Sequence, residues 1–122
     1  MIVLDTNYIL RYLLDDNHEM FLEAKDVIES NACLILNEVV AEVIYVLLGV
    51  YKVSKQNISE SLCDFMEMEN VSMLESKEIL LSSLKLFESK NLDFVDCYLC
   101  ALKNKYDVKS FDKKLMKCVG IS

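Results

Sequence analysis

An α/β fold is predicted by three features of this 122-residue chain. Short apolar runs, too brief for a helix, alternate with longer segments whose apolar residues recur at helical spacing. The runs are apolar throughout instead of alternating, the pattern of strands buried on both faces by helices. There is no proline and there are only 2 glycines, which argues against Pro/Gly-rich disorder and against a turn-rich all-β fold. Domains usually run to roughly 100–150 residues, so residues 1–122 are expected to form a single domain around one core.

The elements follow in order. Ile2, Val3 and Leu4 form a first buried strand. Residues 8–14 place Ile9, Leu10, Leu13 and Leu14 at helical spacing, and Asn17 can cap a second helix carrying Phe21, Ala24, Val27 and Ile28. Residues 33–36 read as a second strand, and Asn37 can cap a long apolar helix reaching about residue 51. Ser54 opens a fourth helix through residue 68, and residues 71–73 are a third strand. Two more helices are expected over 76–89 and 94–105, then a fourth strand over 108–110 and a short helix over 112–117. No repeat, low-complexity tract or linker interrupts the series.

The chain carries 13 Lys+Arg against 20 Asp+Glu, a formal charge of −7, which argues against an ordinary basic nucleic-acid binder. The charge is unevenly spread. Lys103, Lys105, Lys109, Lys113, Lys114 and Lys117 face only Asp107 and Asp112 as acids within 103–117, a local charge of +4. The 5 cysteines are an odd number, and the N-terminus lacks a basic then apolar leader. The longest apolar run, residues 43–50, is far short of the ~20 residues of a membrane span. A cytoplasmic protein with reduced thiols is expected, and Cys97 and Cys100 read as small apolar residues on one helix face.

Four acids stand where an α/β sheet places ligands, beyond strand ends or within apolar helices. Asp5 closes the first strand and Asp112 follows the expected fourth. Glu42 and Asp96 each sit in a largely apolar helical stretch. A buried carboxylate costs several kcal/mol unless it is paired or ligates a metal, and converging carboxylates favour an oxygen-ligated Mg²⁺ or Mn²⁺. His18, the lone histidine, sits among Asp15, Asp16 and Glu19 and reads as an exposed surface residue. That leaves Ser–His or Cys–His catalysis without support and metal-assisted hydrolysis as the remaining chemistry. Arg11, one turn from Asn7, could contact phosphate or an acid. Tyr8, Tyr12 and Tyr45 could stack on bases or edge the core.

These residues carry a family resemblance over essentially the whole chain. Residues 2–10, with Asp5-Thr6-Asn7, match the opening strand, Asp-Thr/Ser-Asn and helix start of PIN-domain ribonucleases. Glu42 with its following aliphatic stretch, Asp93-Phe94-Val95-Asp96 and Ser110-Phe111-Asp112-Lys113 match the later blocks in order, and residues 119–121 the usual end. The chain specifically resembles a VapC-type toxin of a bacterial type II toxin–antitoxin pair. The resemblance implies a PIN-like three-layer sandwich with a short parallel sheet of four to five strands. It implies an endoribonuclease dependent on Mg²⁺ or Mn²⁺, with Asp5, Glu42, Asp96 and Asp112 as the acidic site; Asp5 and Asp96 ligate directly, and Glu42 and Asp112 act partly through water. Asn7 and Ser110 would orient the acids or bound water, and Asp93 either caps its helix or approaches the site. Glu38 is the alternative glutamate to Glu42. Lys113, Lys114 and Arg11 are candidate RNA contacts. A cognate antitoxin and a homodimer are the implied partners, and no membrane. Ser110 stands where Thr is commoner, and Cys97 where Ala is. The rival readings are a haloacid-dehalogenase-like phosphatase with Asp5 as nucleophile, or a PIN fold that binds without catalysis.

Overall fold

In a computed structural model, residues 1–120 are described. The chain divides into two compact units, Met1–Glu75 and Ser76–Ser122.

The first unit holds all the strands found among the described residues. These are β1 (Ile2–Val3), β2 (Cys33–Ile35) and β3 (Val71–Met73), ordered β1-β2-β3 and parallel throughout. Parallel neighbours need long crossovers. Helices α1 (Thr6–Leu14) and α2 (His18–Ser30) make the first, and α3 (Asn37–Gly49) and α4 (Lys55–Met66) the second. The central strand is the most buried, with Cys33 and Ile35 sealed from solvent. Its neighbour β1 is an edge strand, which leaves Val3 58 % exposed although Leu4 is buried. Ile9, Leu10, Ile28, Val40, Val43, Ile44, Ile58, Leu62 and Phe65 line the core of this unit at helical spacing.

Helix starts follow side-chain chemistry. Asn17 caps α2 and Ser54 caps α4, each accepting an orphan backbone N–H of the first turn. Asn37 does not cap α3. Leu36 is the extended residue there, and its carbonyl accepts from Val39 and Val40, so Asn37 is the first helical residue.

The second unit consists of α5 (Lys77–Ser89), α6 (Phe94–Ala101), a 3₁₀ turn (Leu102–Asn104) and α7 (Lys113–Val119). Ser76 caps α5. Helix α5 packs on α6, where Phe87 and Phe94 meet edge-on at 6.2 Å, and α6 packs on α7. Gly120 ends α7 in the left-handed region at φ 94°, returning its N–H to the carbonyls of Met116 and Lys117.

The α/β class holds with seven α-helices among the described residues, but the sheet has three strands where four to five were expected. Residues 108–110 form no strand: only Val108 is buried, while Lys109 faces solvent beside Asp107. The helix expected over 94–105 ends at Ala101 because 103–107 are polar or exposed and offer no apolar stripe. The expectation of reduced thiols also fails at one pair. Cys100 and Cys118 are joined by a disulfide, their Cα atoms 5.9 Å apart, because α6 and α7 lie against each other. Cys97 stays a buried thiol, so the two cysteines of one helix face have different fates. Of the closing block, Ile121 lies outside the described residues.

Candidate active site

Asp5 follows β1 and caps α1, its Oδ1 accepting the Tyr8 N–H at 2.9 Å. The side chain is exposed, and a carboxylate acting as a cap keeps acceptor sites on its second oxygen. Asn7 is exposed in the first turn of the same helix. Glu42 lies midway along α3, exposed between buried Val40 and Val43, and Tyr45 beside it is 77 % exposed. Glu38 is exposed one turn earlier.

The remaining candidates of the first unit are engaged internally. Arg11 Nη1 donates to both oxygens of Asp16 at 2.7 Å, and its Nη2 donates to the Tyr51 hydroxyl at 2.9 Å. That hydrogen bond to Tyr51, ahead of the Asp16 interaction, raises the guanidinium pKa further. The cation proposed from sequence as a phosphate contact is thus already paired. Tyr8 donates its hydroxyl to Glu23, and Tyr12 donates to Glu29, both at 2.9 Å. Tyr12 also stacks beside Phe21 and leans on Phe65. Burial, followed by the bond to Glu29, pushes its phenol up to about 12. His18 is exposed against Asp15 at 3.0 Å, as the sequence suggested.

The second unit gathers three aspartates. Asp93 caps α6, its Oδ1 accepting the Asp96 N–H at 2.9 Å. Asp96, in the first turn of α6, is half-buried. Its carboxyl is pushed upward by desolvation first, then by the charges of Asp93 and Asp112. Asp112 caps α7, accepting the Leu115 N–H at 2.9 Å, while its own N–H donates to Ser110 Oγ at 3.0 Å. Ser110 therefore holds the backbone of Asp112 directly. Lys113 and Lys114 are exposed at the start of α7, on the rim of an open depression of about 610 Å³ that Asp112 also lines.

Asp5 and Glu42 thus belong to the first unit and Asp96 and Asp112 to the second. Asp96, Asp93 and Asp112 are within electrostatic reach of one another. Among the described residues, no group of three or more His, Cys, Asp or Glu is arranged as a metal cage. The donors present are all oxygens, the set that hard divalent cations select, and the like-charge pressure on Asp96 is of the kind a cation relieves. Sequence reasoning missed the commitment of Arg11 to Asp16 and Tyr51, which depends on a residue 40 positions away. It also passed over Phe111, which was read only as part of a motif and proves to be fully exposed.

No curated protein and no solved structure matches the chain. A model of the PIN domain family matches residues 2–118, across both units and all four candidate acids. The chain belongs to the PIN domain family.

Proposed function

We propose that this protein is an endoribonuclease dependent on Mg²⁺ or Mn²⁺, acting as the toxin of a toxin–antitoxin pair. PIN domains are generally nucleases and usually use divalent metal ions. The family match over residues 2–118 carries the reading, because it encloses Asp5, Glu42, Asp96 and Asp112 at the motif positions. These four acids hold the cation, Asp5 and Asp96 directly. A cation bound there lowers the pKa of a water and neutralises charge on the phosphoryl oxygens. Ser110 fixes the backbone of Asp112, and Asn7 orients the group beside Asp5. Lys113 and Lys114 hold the phosphate backbone. RNA as the substrate, a cognate antitoxin that covers the site, a homodimer and a cytoplasmic setting belong to the same proposal, by likeness to VapC-type toxins.

The test is RNA cleavage with Mn²⁺ or Mg²⁺ by wild type, Asp5→Asn and Asp96→Asn. Activity is expected to need the metal and to fall at least about a hundredfold in each variant, a difference of roughly 2.7 kcal/mol in barrier. Cleavage that persists unchanged in both variants, or without metal, overturns the site. An aspartyl-phosphate formed on Asp5 would instead indicate the phosphatase chemistry.

A further inference from the structure

Phe111 is the most exposed large apolar side chain among the described residues, at 108 % of its reference area. A phenylalanine ring held wholly in water forgoes burial, so its position needs a local cause. The cause is the turn around it. Ser110 Oγ accepts the Asp112 N–H, and Asp112 Oδ1 accepts the Leu115 N–H, so both neighbours are bound into the start of α7. The ring between them is left outside the unit's core. It lines the depression of about 610 Å³ together with Lys113, Lys114, Met116 and Lys117.

The same depression is cationic. Lys113, Lys114 and Lys117 are exposed, and none makes an ion pair with a described residue. Lysines elsewhere in the basic segment are partly spent: Lys109 faces Asp107 at 3.5 Å, and Lys103 donates to the Cys118 carbonyl at 3.1 Å. An exposed aromatic ring flanked by three unpaired ammonium groups matches a ligand with a flat π-face and closely spaced negative charges. An unpaired nucleotide within a strand has that form: its base stacks on the ring and its neighbouring phosphates meet the lysines. A base within a duplex has both faces covered and cannot reach the ring.

We propose that Phe111 is a base-stacking residue that positions single-stranded RNA beside Asp112, with Lys113, Lys114 and Lys117 holding the flanking phosphates. The proposal rests on the nuclease reading for its substrate. It adds that the site selects unpaired RNA and names the side chain that does so. Phe111 is a positioning residue: it touches the base, and the acids carry the chemistry.

The chain has no tryptophan, so Phe111→Trp installs a single indole at the ring's position. Its fluorescence is titrated with a short oligouridylate, and with a duplex of equal length, in chelator so that no cleavage occurs. Saturable quenching by the single strand, weakened by salt and far smaller with the duplex, is the expected result. Phe111→Ala is expected to bind the single strand about tenfold more weakly in an anisotropy titration, with Phe111→Trp restoring the affinity. Circular dichroism confirms that both variants fold. An indole indifferent to RNA overturns the proposal, as does an equal response to duplex. So does quenching on concentrating the protein alone, which would assign the ring to a protein surface. If quenching holds while wild type fails to cleave, the nuclease reading falls and the stacking site stands. If wild type cleaves and Phe111→Ala binds and cuts equally well, the stacking role falls alone.

Discussion

At Asp96, burial and the charges of Asp93 and Asp112 all favour the protonated carboxyl. The folded carboxyl titrates above its unfolded value, so its stabilising contribution is complete below the unfolded pKa and lost as pH rises through the folded one. At neutral pH the ionised group therefore weighs against the fold, the trade of stability for function expected of an active-site acid. Asp96→Asn, in chelator, is expected to melt above wild type at about pH 7. The advantage should shrink as pH falls toward about 4, which thermal melts across that range measure. Tyr12 acts at the other end of the scale. Its phenol lies at about 12 against an ordinary 10.0, through burial and the bond to Glu29. The stability it supplies is complete below pH 10.0 and lost as pH rises toward about 12. Tyr12→Phe should cost about 1 kcal/mol at neutral pH and flatten the alkaline decline in a denaturation series.

Helix caps decide what several of these acids do. Asp5, Asp93 and Asp112 each satisfy a backbone N–H three residues on, so their places in the chain serve the fold whatever else they bind. For Asp93 the two roles separate by mutation. Asp93→Ala should lose about 1 kcal/mol in urea denaturation, whereas Asp93→Asn, which keeps the accepting oxygen, should stay near wild type. A metal-holding Asp93 would instead lose cleavage in both. The same local logic explains what was legible in the sequence. Asn17, Ser54 and the strand over 71–73 could be read because capping and short apolar runs are local signals. The strand expected over 108–110 failed because one apolar residue beside Lys109 offers nothing for a sheet to bury. The pairing of Arg11 with Asp16 and Tyr51 depends on how α1 packs in three dimensions, and no local pattern encodes it. The exposure of Phe111 runs against its residue type, so composition pointed the wrong way.

On the scale of the whole molecule, the family match and the order of the acidic blocks were readable from the chain, because motif spacing survives without coordinates. The disulfide was not, since its cysteines stand 18 residues apart and meet only through the packing of α6 on α7. Thiol titration of the denatured, unreduced protein should accordingly find three reactive groups, rising to five after reduction. Finding five in both conditions would place both cysteines in the thiol form. The bond also closes a loop between Cys100 and Cys118, and all six lysines of the basic segment lie inside it. Trypsin cuts after lysine, and these side chains are the exposed ones of that stretch. A chain nicked there would keep its two fragments covalently joined, migrating as one band until a reductant releases the carboxyl-terminal piece.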